Sequence, residues 1–441
     1  MSKNTFVLGA GMTGLAAAFA SNLTVFEAAD SPGGICSSYY VRPGDQERCT
    51  VAPTDGEAYR FEIGGGHWIF GGDPAVLHFI GRFVNLKRYV RQSSVYFQKN
   101  GLYVPFPLQN HLRFLDGDLA ERALAEMAEK QGPFRTMKEW LGKNFGPTLC
   151  ALFFYPFNEL YTAALYDRIA PQDAYKSPVD LSLAIQGAFG KTTPAGYNAT
   201  FAYPKEGLNV LAQALSNRCL IEHGKRVTHI DTGSNTLSFD DGSTRPYETL
   251  ISTLPLNKVT EMADMPIGPR PDPYTSVLVL NIGAVRGERC PDDHWLYTPD
   301  TLSGFHRVGF YSNVDPSFLP LSARPDRDRV SIYVERAYVG GERPSDREMT
   351  QYGHNVVAEL RDWGFISEAE VVDPTWIEVA YTWSRPGSNW KQRALETLQE
   401  RGIYQVGRYG RWVFQGIADS IRDGLLVGSA FKAGRKHPAP S

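Results

Sequence analysis

"TFVLGAGMTGLAAAFASNLTVFEAADSPGG", Thr5 to Gly34, decides the fold. Phe6 to Leu8 reads as a short buried strand, and Gly9, Gly11 and Gly14 follow it as GxGxxG. Ala16 to Ala20 then runs as a helix, and Leu23 to Phe26 makes a second strand that ends at Glu27. Each glycine has its own mechanical task in such a unit. Gly9 permits the tight turn, Gly11 lets the backbone approach a pyrophosphate, and Gly14 lets helix pack on strand. The helix N-terminus turns free N–H groups and a positive dipole end toward the phosphates. Glu27 stands where an acid accepts hydrogen bonds from an adenosine ribose. The stretch therefore predicts a dinucleotide-binding α/β unit. Its one irregularity is that the acid usually lies ~20 residues beyond the start of the motif; here the intervening helix is about a turn shorter.

The bulk properties bound the rest. A chain of 441 residues is too long for one compact core, so two or three lobes are expected. A net charge of −3 supplies no general drive toward nucleic acid. Cys36, Cys49, Cys150, Cys219 and Cys290 are scattered, without a CxxC pair or a zinc-type Cys/His spacing. No metal site is expected, and free thiols suit a reducing compartment. Met1 to Thr5 is polar and the apolar run after it is broken by glycines, so neither a signal peptide nor a membrane span of ~20 apolar residues is expected. A cytoplasmic location follows as the expectation, with oligomeric state left open.

Beyond Glu27 the segment "AADSPGGICSSYY" carries Gly33 and Gly34, a second place for close backbone approach by a phosphate or ribityl chain. An acid followed by a Gly-Gly pair resembles the large family of FAD proteins that includes amine oxidases, protoporphyrinogen oxidase and UDP-galactopyranose mutase. The resemblance implies FAD rather than NAD. It also offers a reading of "RFEIGGGHWIF", Arg60 to Phe70. Glycine weakens a strand interior by up to roughly 1 kcal/mol relative to alanine, so Gly64, Gly65 and Gly66 need a reason. Bare backbone against the isoalloxazine ring would be one, with a Cβ colliding with the ring and His67 near its reactive N5 edge.

Arg42 to Tyr59 looks like a surface hairpin inserted before the glycine run. Residues 112–188 turn helical, with Thr136 or its neighbours as a cap for "TMKEWLGKNFGPTLCALFFYPFNELY". Strands return at Arg226 to Ile230 and Leu250 to Thr253, with an Asp241-Gly242 hairpin turn between them. "YTSVLVLNIGAV", "RVSIYVERAY" and "GLYVPFP" suggest a separate sheet lobe. A last helix is expected from about Ile417 to Phe431. The fold class expected is α/β: a Rossmann-like FAD-binding domain with an inserted helical domain and an inserted antiparallel β-sheet domain. The first comprises residues 1–75, 197–258 and 396–441, the second 112–196, and the third 76–111 with 259–395.

Four further segments are similar to eukaryotic-type UDP-galactopyranose mutases over most of the chain: "GLYVPFPLQNHL", "GYNATFAYPKEGL", "HWLYTPDTLSGFHRVGFYSNVDP" and "GRYGRWVFQGIADS". That resemblance implies a mutase interconverting pyranose and furanose forms of a nucleotide sugar. Reduced flavin attacks the anomeric carbon through N5, the nucleoside diphosphate leaves, and the sugar ring opens and recloses. Its partners are then a nucleotide-diphosphate sugar and a reductant such as NAD(P)H. It implies Arg307 and Tyr297 at the phosphates, Arg408 beside the flavin, and Phe106, Gln109 and Asn110 at the base. Asn158, Tyr161, Lys176 and Asn198 complete the substrate set. His67, Arg307 and Arg408 are the catalytic candidates; Val227, Asp419 and Ser420 join the glycines and Glu27 around FAD. Several positions depart from the family pattern. Lys176 stands where a second phosphate arginine is expected, and a lysine and a tryptophan are missing around Asn158 and Tyr161. Phe414 replaces a tyrosine, and the loop before Asp419 is about two residues shorter. The alternative implied by the wider family is an oxidase or desaturase of the amine oxidase or protoporphyrinogen oxidase type.

Overall fold

The computed structural model describes residues 4–129, 132–172, 179–190, 196, 198–268 and 270–436. Thr5–Leu8 forms the centre of a five-stranded, all-parallel sheet. Its order is Leu220–Glu222, Thr24–Phe26, Thr5–Leu8, Thr249–Ser252, Ile403–Gln405, with Phe6 opposite both Thr24 and Leu250. Such strands are covered on both faces, which is why "TFVL" and "TLIS" read as apolar runs rather than alternations. One face carries the helix Met12–Ser21; the other is covered by the antiparallel sheet Val227–Asp231, Thr236–Phe239, Thr244–Pro246 and by helices Leu256–Met262 and Trp390–Glu400.

The last helix runs from Ile417 to Lys436, five residues longer than the sequence suggests. It lies parallel to Met12–Ser21 at backbone contact. A Cβ on Gly424 would stand 2.2 Å from the Thr13 carbonyl oxygen, and one on Gly428 would stand 2.3 Å from that of Ala17. Two glycines one turn apart therefore bring the helices together and open both N-terminal ends on one cavity.

A seven-stranded sheet forms the second layer. Its order is Ile366–Thr382, Tyr274–Arg286, Arg329–Val339, Arg307–Phe310, Trp295–Tyr297, Ser93–Phe97, Leu102–Pro105. The pairs are antiparallel except Trp295–Tyr297 with Ser93–Phe97, which is parallel. The helical region comprises Gly117–Ala128, Met137–Leu149, Tyr155–Tyr161 and Leu181–Ala188. Thr136 caps its second helix in a capping box with Glu139. That helix breaks at Gly146, where φ is 74°, and the Glu126 carboxylate accepts from Thr148 N at 2.8 Å to restart it. A π-turn over Cys150–Phe154 follows and sets Phe153 and Phe154 against Phe145 and Phe157. The architecture is thus the α/β core with helical and largely antiparallel insertions. Among the described residues, no helix is long and apolar enough to cross a membrane.

Candidate active site

The ends of the parallel strands, the two parallel helices, the large sheet and the helical region enclose a cavity of about 670 Å³. Gly9, Gly11, Gly33 and Gly34 lie at one end and the helical region's aromatic side chains at the other, with Gly64, Gly66 and His67 between.

The glycines at the first end are spaced by packing. Gly9 has φ +91° and turns the chain out of its strand. A Cβ on Gly14 would stand 1.9 Å from the Gly9 carbonyl oxygen, so helix and strand touch there. Gly11 is different: its φ of −69° suits any residue, and a Cβ there meets nothing within 4 Å. Gly11 bridges to Gly33, and the helix opens without a side-chain cap. Glu27 holds the turn itself, accepting from Ala10 N at 2.6 Å and Ala29 N at 2.9 Å, and does not line the cavity.

The glycine run corrects an expectation. It is a turn after strand Tyr59–Glu62, not part of a strand, and what its missing Cβ atoms would strike is protein. A Cβ on Gly66 would lie 2.2 Å from Tyr333 Oη, one on Gly65 would lie 2.9 Å from Glu335 Oε1, and one on Gly64 would lie 2.4 Å from His67 Cε1. Gly65 and Gly66 are pressed onto the large sheet from behind, and Gly64 onto His67 of its own turn and the Ile35 carbonyl. Gly64 and Gly66 still reach the cavity wall, whereas Gly65 does not.

His67 Nδ1 is enclosed and has no hydrogen-bond partner among the described residues. Burial first, then the Arg408 charge, pushes the imidazole down to about 4, with Glu335 opposing. The ring is therefore neutral at ordinary pH. Arg408 is tied down by backbone acceptors: Nη1 donates to Gln415 O at 3.1 Å and Nη2 to Ala380 O at 3.0 Å, with its guanidinium 4.6 Å from the Phe414 ring. Arg307 stands opposite Tyr297 in one strand pair and opposite Glu335 in the next. Its Nε donates to Glu335 Oε2 at 3.0 Å and its Nη2 to the same oxygen. Burial would raise the Glu335 carboxyl, but Arg307 overrides this and holds it down at about 2. Glu335 and His306 line the cavity and were not singled out in the sequence. A glutamate inside the apolar strand "SIYVERAY" was the available signal.

Phe106, Asn158, Tyr161, Asn198, Asp419 and Ser420 also line the cavity. The Asn158 amide donates to Phe154 O at 2.7 Å, Asn198 accepts from Arg91, and the Tyr297 ring lies 4.4 Å from that of Phe106. Gln109 and Asn110 are buried outside it, the Asn110 amide with no partner for either end among the described residues. Val227 packs in the small antiparallel sheet, also off the cavity, and Lys176 lies outside the described residues. The far wall is apolar: Met137, Trp140, Leu141, Phe153, Phe154 and Trp383. Among the described residues, no group of His, Cys, Asp and Glu could hold a metal ion.

The profile of the flavin containing amine oxidoreductases matches residues 12–427. The chain belongs to that family. Membership implies FAD as cofactor and a flavin-dependent enzyme activity. The solved structures similar to the chain include reduced UDP-galactopyranose mutase, at 22% identity and a TM-score of 0.82 over 99% of this chain and 96% of that one. A protein from Exiguobacterium sp. 255-15 assigned as a protoporphyrinogen oxidase matches at 15% identity and a TM-score of 0.69, over 98% and 99% of the two chains. The fatty acid isomerase of P. acnes that produces CLA matches at 16% identity and a TM-score of 0.59, over 99% of each. At these identities the likeness is one of fold.

The residues present fit a flavin dinucleotide, since Gly11 leaves open space beside two helix N-termini that converge on the cavity. Gly11→Ala is expected to leave the cofactor-free fold intact or stabilise it by about 0.4–1 kcal/mol. FAD retention should fall tenfold or more. Gly14→Ala should instead lower the unfolding midpoint of the cofactor-free protein. Urea unfolding with and without FAD separates the two outcomes.

Acid lability has a definable sign. His67 and His294 are both pushed down to about 4, each by burial first, whereas burial raises Glu62 to about 7. A histidine held neutral in the fold binds fewer protons than the unfolded chain between about 6.5 and 4, so stability falls with pH there. Glu62 acts oppositely between about 7 and its unfolded value near 4.3. His111 and His306 are lowered by burial as well, and Asp293 and Asp300 raised by it, so four histidines against three carboxyls predict a lower guanidinium midpoint at pH 5 than at pH 7. His67→Gln should shrink the difference.

Proposed function

We propose that the chain is an FAD-dependent mutase that interconverts the pyranose and furanose forms of a nucleotide sugar. The observation that supports it is the pairing of Arg307 with Tyr297 across two adjacent strands on the cavity wall, beside a neutral His67 and the tethered Arg408. Reduced FAD would supply the nucleophilic nitrogen for the anomeric carbon. The chain's own residues do the rest. Arg307 and Tyr297 hold the diphosphate as it leaves and returns, by charge-assisted and hydroxyl hydrogen bonds. Asn158 and Asn198 meet sugar hydroxyls. His67, its Nδ1 without a partner among the described residues, hydrogen-bonds at the reacting face, and Arg408 fixes negative charge beside it. Gly9, Gly11, Gly33, Gly34, Gly64 and Gly66 line the cofactor, with Asp419 and Ser420 at the second helix start. The aromatic far wall excludes water. NAD(P)H or another reductant would charge the cofactor.

The deciding experiment incubates dithionite-reduced protein with a panel of nucleotide sugars in both directions. Interconversion of one of them is expected only in the reduced state; an unchanged panel sinks the reading. One observation favours a second reading, an oxidase or desaturase acting on an apolar substrate: the wall from Met137 to Phe154 presents no charged side chain to the cavity. Steady oxygen consumption with an amine or a tetrapyrrole would decide for it.

A further inference from the structure

His306 precedes strand Arg307–Phe310, and its backbone is fixed on both sides. Its N–H donates to Glu335 O at 3.0 Å, and its carbonyl accepts from Thr298 N at 3.0 Å. The ring lines the cavity yet is almost wholly buried, and among the described residues neither ring nitrogen has a hydrogen-bond partner. Its Nε2 lies 3.6 Å from Glu335 Oε2, just outside bonding reach. That oxygen is the one that takes both donors of Arg307. One carboxylate oxygen thus sits between a fixed cation and a histidine able to become one.

We propose that His306 is a positioning residue: by competing for Glu335 Oε2 it sets how much of the Arg307 charge is offered to an anionic ligand in the cavity. With His306 neutral, the three side chains sum to zero and Glu335 stays on Arg307. With His306 protonated, the sum is +1 and Glu335 is shared, so Arg307 is released toward the ligand. Among the described residues, four groups are recorded facing the ring. They are Glu335 on the neighbouring strand, Arg307 beside it, and from helix Tyr155–Tyr161 the Tyr161 ring at 5.3 Å and the apolar Phe157 ring at 6.1 Å. Burial lowers the imidazole below its ordinary value, Glu335 raises it and Arg307 lowers it again. Release therefore belongs to the acid side of neutrality.

The ligand half of this inference rests on the proposed nucleotide-sugar site, and the test keeps the two apart. UDP-glucose serves as the probe because its diphosphate carries the same charge from pH 4.5 to 8. Binding to the FAD-loaded protein is expected to tighten at least fivefold across that range as pH falls, and to lose the dependence in His306→Gln. An equal slope in His306→Gln overturns the proposal. A second readout needs no ligand: the His306 ring signal in a ¹³C-histidine NMR titration. Glu335→Gln should lower its midpoint by half a pH unit or more, and a midpoint unmoved by that change overturns the coupling. Coupling present without binding of UDP-glucose or of any nucleotide sugar in the panel at any pH would refute the nucleotide-sugar reading and, with it, the ligand half.

Discussion

Arg307→Ala is expected to cost the protein about 3–5 kcal/mol of stability and to raise the KM for the nucleotide sugar by ten- to a hundredfold, while FAD stays bound. The stability figure follows from what is left behind. Glu335 is 2% exposed and its Oε2 takes two donors from one guanidinium. Removing one partner of such a pair strands a buried charge, which costs roughly 3–5 kcal/mol, whereas a neutral replacement of both partners is far cheaper. Arg307→Ala with Glu335→Gln should therefore be more stable than Arg307→Ala alone. A double variant no more stable than the single one would mean that the pair is not what holds the strands. Acid adds a check. Arg307 keeps the Glu335 carboxyl at about 2, so its contribution is full above the unfolded value near 4.3 and is lost as pH falls toward 2. In Arg307→Ala burial alone acts on Glu335 and raises its carboxyl, so the gap between wild type and variant in urea midpoint should begin to close above 4.3, as the unpaired carboxylate takes up its proton, and close further as pH falls toward 2. The KM effect has a separate origin, since a hydrogen bond to a charged group contributes about 1.5–3 kcal/mol. Loss of flavin with unchanged substrate affinity would place Arg307 at the cofactor instead.

The parts of this molecule that were readable in sequence are those whose physics is local. The turn at Gly9, the bare Gly11 and the Gly14 contact lie within six residues: Gly9 turns the chain, Gly14 touches its strand, and Gly11 leaves open space among the described residues. Thr136 and Glu139 form their capping box three residues apart. The strand pattern of "YTSVLVLNIGAV" and "RVSIYVERAY" returns as an antiparallel pair, with Thr275 opposite Val339. What escaped is set by distant partners. The acid fingerprint placed Glu27 correctly at the end of its strand, but in the structure its oxygens hold the turn amides. Glu335 gains its meaning only when Arg307, 28 residues earlier, becomes its cross-strand neighbour. Gln109 lies in a short 3-10 turn just behind Phe106, and no spacing rule distinguishes the residue on the cavity wall from the one beneath it. The glycine run shows the limit most clearly: the need for bare backbone was legible, but the side that needs it was not.

That side can be tested directly, and Gly66→Ala is expected to destabilise the protein by about 3 kcal/mol, the upper end for overpacking. Tyr333 is fully buried, and its ring is trapped between two glycines. A Cβ on Gly66 would lie 2.4 Å from Tyr333 Cζ, and one on Gly309, from the neighbouring strand, would lie 2.0 Å from the same atom. The ring therefore has nowhere to retreat. Gly66 is not among the left-handed glycines, so an alanine there is penalised by contact rather than by its own φ. Tyr333→Phe should not rescue the variant, because Cζ remains. Tyr333→Leu should do so in part, since a shorter side chain vacates the clash at the cost of a cavity. A double-mutant cycle of Gly66→Ala and Tyr333→Leu is then expected to depart from additivity by 1 kcal/mol or more, in the favourable direction, as for residues in contact. If the ring behind the turn is the reason for the glycine, the rescue appears in the cofactor-free protein as well. A penalty seen only with FAD loaded, and additive with Tyr333→Leu, would return the glycine to the cofactor's side of the wall.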